Sequence, residues 1–185
     1  WPSTYSHPVF QFPSSHHLSS HERAITTMSH YPVFILKVRL AMQDPDMPSP
    51  RYHTSIFVET GAQGQGSGTK HHVTGDIVQG MVYEAQPCHD DPTASEDVHS
   101  KVLIGRVDAS SYPEAVNALL RTLPPPPKQK TFNIKTMKTE PVKLWMPLTF
   151  YESGEARAPL KKCTEWVEQD AIPALLEHSI LEQRL

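Results

Sequence analysis

Three side chains line up as candidates to move a proton or attack a carbonyl: His53 in "RYHTSIFVET", His72 in "GTKHHVTG" and Cys163 in "KCTEWVEQDAI". A thiol is a strong nucleophile only as thiolate, and a free cysteine titrates at about 8.5. It therefore needs a base beside it, and that base needs a second polar group to orient it. Each residue also has a plainer reading. A lone cysteine on an apolar helix face is most often a small core residue. A histidine that shares a strand face with Ser55 and Phe57 is equally a hydrogen-bonded core side chain, a metal ligand or a catalytic base. His71 and His72 alternate sides of their strand, so only one can face a cysteine; we assign that place to His72 and give His71 to solvent. Cys88 lies beside His89, Asp90 and Asp91. Without a second cysteine or a helical histidine pair, that run reads as a solvated acidic loop, and no metal or cofactor is expected.

The elements that must position these residues are legible from pattern. "YPVFILKVRLAM" (31–42) is a β-branched, apolar strand, and "QDPDMPSP" after it is a proline-stiffened loop. The His53 stretch is a second strand, "GAQGQGSG" (61–68) a turn, and the His72 stretch a third strand returning in a hairpin. "GMVYEA" (80–85) and "KVLIGRVD" (101–108) are two more strands. "SYPEAVNALLRTL" is an amphipathic helix capped by Ser110 or Ser111, with Pro113 in its first turn, and "PPPP" (124–127) ends it. Residues 128–158 resist assignment, with "KLWMPLTFYE" a strand interrupted by Pro147. The last segment, "APLKKCTEWVEQDAIPALLEHSIL", is helical, with Leu160, Cys163, Val167 and Ala171 on one face and Pro173 kinking or splitting it. The sum is an α+β domain, an antiparallel sheet packed against helices. Two histidines on adjacent antiparallel strands can meet across the ladder, and a helix entering beside them can present its cysteine.

"YHTSIFVETG…GTKHHVTG" followed much later by "KCTEWVEQDAI" resembles the circularly permuted papain-like fold of the NlpC/P60 superfamily. It is most similar to the lecithin:retinol acyltransferase-like branch, and small fungal proteins carry a similar pattern. The resemblance spans roughly residues 51–85 and 160–172. It implies a cysteine-dependent hydrolase or acyltransferase in which Cys163 is the nucleophile, His53 the base and His72 the orienting third member. Backbone N–H groups at the helix start, helped by Tyr52, would stabilise the oxyanion. Thr54 stands where the family has an aromatic and would reshape the pocket, and Lys162 stands where it has an asparagine.

The bulk numbers bound the alternatives. A chain of 185 residues, 38% hydrophobic, supports one folded domain, expected over 28–185. Residues 1–27 are rich in Ser, His and Pro and read as a flexible tail, with Met28 an alternative start. A net charge of −3 gives no basic footprint for nucleic acid. No apolar run is long enough to span a bilayer. Two cysteines make no disulfide framework, so reduced thiols and a cytoplasmic setting are expected. The expected partner is a small-molecule, acyl or peptide substrate. Two other classes stay open: an isomerase or cyclase using histidine acid–base chemistry in the same pocket, and a non-catalytic binding protein.

Overall fold

The computed structural model describes residues 29–183. The expected tail (1–27) and the Met28 start lie outside these residues. The described chain is mixed α+β with antiparallel sheets and few helices.

Five strands form the main sheet in the order β4-β3-β2-β1-β5. They are β1 (His30–Arg39), β2 (Tyr52–Glu59), β3 (Gly68–Asp76), β4 (Gly80–Cys88) and β5 (Val98–Asp108). β2 is central, and Thr54–Val58 are buried without a break, so both faces of this strand are covered. Behind one face lie Ile56, Val58 and Val73 with Val116 and Leu120 of α1 (Glu114–Leu120) and Cys163, Trp166, Val167, Ala171 and Leu175 of the last helix. The other face carries a smaller apolar layer in which the rings of Phe34 and Phe57 lie 6.4 Å apart, with the Lys101 ammonium over both.

Residues 128–158 resolve into a separate three-stranded sheet, β6 (Lys130–Asn133), β7 (Lys138–Trp145) and β8 (Leu148–Phe150). The expected single interrupted strand is two strands of a hairpin. Met146–Pro147 is its turn, because proline lacks the N–H a continuing ladder needs. Helix α1 also departs from expectation. Its N-cap is Pro113 and no side chain caps it, while Asp108 takes the Ser110 N–H and hydroxyl instead.

The last helix, α2, runs continuously through three pieces: Cys163–Glu165, Trp166–Ala171 and Ile172–Glu177. The middle piece is π-helical, and the Ile172 N–H reaches back to the Val167 carbonyl. Pro173 therefore neither splits the helix nor stops it. The wider π turn just before it absorbs the missing N–H, so the buried face from Cys163 to Leu175 stays continuous.

Two glycines mark places where backbones meet. A Cβ on Gly68 would lie 2.1 Å from the Val58 carbonyl oxygen, and one on Gly105 would lie 2.3 Å from that of Glu182. The second contact is where the chain end bridges to β5.

Candidate functional site

The site forms where two strands part. β2 and β3 pair from Glu59–Gly68 to Ile56–His71 and no further. Beyond that, Tyr52–Ser55 keep only β1, and His72–Asp76 keep only β4. The Arg39 N–H, opposite Tyr52, turns outward to the Asp97 carbonyl. The Tyr52 carbonyl is thus left facing the gap.

Helix α2 fills that gap with its first two residues. Cys163 Sγ donates to the Tyr52 carbonyl at 3.7 Å, and Thr164 Oγ1 donates to the same oxygen at 3.4 Å. The Thr164 hydroxyl also meets that of Thr54 at 2.9 Å. Cys163 opens the helix, so its own N–H and that of Thr164 are among the donors that no helical carbonyl can satisfy. Glu165, three residues after the N-cap, takes the Lys162 N–H at 2.9 Å and closes the first turn. Its two oxygens also receive both terminal nitrogens of Arg51, at 2.8 and 2.7 Å. Burial opposes the Glu165 charge, but Arg51 and the Lys162 N–H outweigh it and hold the carboxyl below its usual range.

His53 and His72 come together across the gap. His53 Nε2 lies 2.6 Å from His72 Nδ1, the rings nearly perpendicular. Strand alternation puts both rings on the face shared with Ser55 and Phe57, opposite the one covered by α2. The Cys163 thiol sits at the level of the sheet, against the carbonyl of the residue preceding His53. Among the described residues no hydrogen bond joins it to either histidine. Burial, with Lys70 nearby, lowers the His53 pKa. Burial, then His53, Lys70 and His71, pushes His72 down to about 4. Both shifts favour the neutral ring, the form in which an imidazole can accept a proton. His53 Nδ1 has no hydrogen-bond partner among the described residues, and His72 Nε2 is buried without one.

The other expected residues take different places. Thr54 is fully buried and spends its hydroxyl on Thr164. The Tyr52 ring stacks on His99 at 4.1 Å, and its carbonyl, rather than its phenol, touches the helix start. His71 is not solvent-exposed. It is completely buried on the α2 side, 2.8 Å from the Tyr83 hydroxyl and 3.0 Å from that of Tyr112. Tyr83 in turn donates to Asn117 of α1 at 2.9 Å. Alternation correctly separates His71 from His72, but it says nothing about whether a strand is covered on both faces. In the Cys88 loop, His89 bonds Gln63 and Asp91 pairs with Lys101. No group of three or more His, Cys, Asp or Glu side chains among the described residues is placed to hold a metal ion.

Arg51, Thr164 and Glu165 escape sequence reasoning. A glutamate at the third helical position is a recognisable helix-start signal. Arg51, 114 positions from its partner, carries no local signal at all.

Among the described residues no helix is long and apolar enough to cross a membrane. No curated protein and no solved structure matches the chain. One family model does match, over residues 40–182, which takes in the gap, both histidines and α2, and the chain thereby belongs to DUF6540, a family of unknown function.

Proposed function

We propose that this chain is a cysteine-dependent hydrolase or acyltransferase on a permuted papain-like scaffold, working on an acyl or peptide substrate in a reducing, cytoplasmic setting. The observation that carries this reading is the 2.6 Å contact between His53 and His72, set at the gap that Cys163 fills. The contact engages His53 Nε2, and Nδ1, which has no partner among the described residues, is the nitrogen this reading assigns to the thiol proton. Cys163 Sγ attacks the acyl carbonyl while its proton passes to His53 Nδ1. His53 Nε2–H donates to His72 Nδ1, which fixes the ring as the charge develops. The unsatisfied N–H groups of Cys163 and Thr164 face the oxyanion. The leaving group departs with the proton held by His53. Water, or an amine, alcohol or thiol, then resolves the thioester and returns the proton to sulfur.

A second reading is favoured by the burial of Cys163, which is 5% exposed within the main core cluster. Here the neutral histidine pair performs acid–base chemistry alone, as in an isomerase or cyclase, and the thiol is a packing residue.

Iodoacetamide labelling across pH, read by mass spectrometry, separates the two. Burial raises the Cys88 thiol, which makes it a slow internal control. The first reading expects Cys163 to label well ahead of Cys88 at pH 6–7 and to lose that lead in His53→Ala. Labelling of Cys163 no faster than Cys88 in the folded protein would sink it and leave the histidine-only reading.

A further inference from the structure

We infer that Arg51 is a positioning residue for Cys163, clamping the nucleophile's helix to the base's strand and holding a fixed positive charge at the turn that opens with Cys163. The inference rests on the thiol reading above and adds a residue to it. Arg51 immediately precedes β2, two positions before His53. Its fork meets Glu165, two positions after Cys163, through two bonds of 2.8 and 2.7 Å. A bidentate pair fixes orientation as well as distance. The side chains are only 12% and 19% exposed, so water screens them weakly. Glu165 also ties down the Lys162 N–H, so the clamp acts on the turn that opens at Cys163.

The titratable groups about the helix start come from several elements. Arg51 comes from the lead-in to β2, while the His53–His72 pair of β2 and β3 lies on the opposite face of the sheet. Lys162 and Glu165 belong to the helix start, and Asp44 lies 3.6 Å behind the Lys162 ammonium. Lys161 is turned away onto Asp170. The hydrogen bonds to Glu165 raise the Arg51 pKa against the opposing effect of burial, and the charges of Glu165, Cys163 and Asp44 add to the rise. A purely structural clamp leaves the labelling midpoint unmoved whichever partner is removed, whereas a clamp that also supplies charge raises it when Arg51 is removed and does not when Glu165 is.

The test is the pH profile of Cys163 alkylation by iodoacetamide in the full chain, with thermal melts of each variant. Arg51→Met removes the clamp and the charge, and its labelling midpoint should rise by about one pH unit. Labelling below the midpoint should then slow about tenfold. Glu165→Gln weakens the clamp but leaves the arginine charge uncompensated, so its midpoint should fall or hold. Arg51→Lys keeps the charge without the fork, and should restore the midpoint while melting below wild type. Equal losses of stability in Arg51→Met and Glu165→Gln, with unmoved midpoints, would show a purely structural pair and overturn the inference. If wild-type Cys163 is itself unreactive, the thiol reading fails and the inference falls with it, an outcome distinct from a reactive cysteine indifferent to Arg51.

Discussion

A buried histidine records its surroundings in how the protein responds to acid, and among the described residues two lie on opposite faces of one strand. Burial pushes the His71 pKa down to about 4, and burial first, then its charged neighbours, does the same to His72. In the unfolded chain each would titrate near 6.5. Between pH 6.5 and 4 the unfolded state therefore binds more protons than the native one. Stability that is full above pH 6.5 drains away as the pH falls through that window. For completely buried His71 the loss is on the order of 3 kcal/mol. Urea unfolding at pH 7, 6 and 5 should show the midpoint falling with each step. His71→Gln should be less stable at pH 7, having weakened the bonds to Tyr83 and Tyr112, yet flatter toward acid. An acid slope as steep as wild type in that variant would remove His71 from the account.

At the scale of elements, the gap between β2 and β3 depends on where their pairing stops and on how firmly the paired end holds. Gly68 begins the paired stretch, opposite Glu59. A methyl there would meet the Val58 carbonyl, which belongs to the strand backbone and cannot swing aside. Gly68→Ala should cost more than about 2 kcal/mol, well above an ordinary surface change, and a shift of the melting temperature would measure it. If β2 and β3 slide to relieve the clash, the contact between His53 and His72 should weaken too. The variant would then lose Cys163 labelling at temperatures well below its melt. The π segment of α2 belongs to this scale as well. Its extra width lets a helix containing Pro173 keep Trp166, Val167 and Ala171 in the core while Cys163 stays at the gap.

Across the whole molecule, the small sheet is tied to the site by ion pairs and hydrogen bonds rather than by a shared apolar core. Lys130 of β6 is 6% exposed and reaches Asp44 at 3.0 Å and Asp46 at 2.7 Å. Asp46 also holds Arg157 at 2.7 Å. The Gln129 side chain exchanges two hydrogen bonds with the Lys161 backbone, just before the helix start. Lys130→Ala removes the buried cation the two carboxylates share, leaving Asp46 to Arg157 and Asp44 to the more distant Lys162, which is destabilising for a buried network. Amide exchange should accelerate across β6–β8 while β1–β3 keep their protection. Uniform loss of protection over both sheets would mean that they unfold as one unit.

Local pattern was legible along the chain alone. β-branched runs and alternation marked β1 to β5, and the 3.6 period placed Cys163, Val167 and Ala171 on one helix face. The order His, His, Cys along the chain singled out three residues, and two of them lie in contact. Tertiary structure decided everything that depends on distant partners. Alternation put His71 and His72 on opposite faces, but only packing made His71 a core residue bonded to two tyrosines. The small sheet stayed illegible because its short strands and Pro147 give no sustained period. No residue near Tyr52 announced that its carbonyl would lie free for Cys163. That followed from Arg39 turning to Asp97 and from β3 parting from β2. Arg51 found Glu165 in the same way, since a pairing across 114 positions is set by the fold's geometry and leaves no mark in the neighbouring sequence.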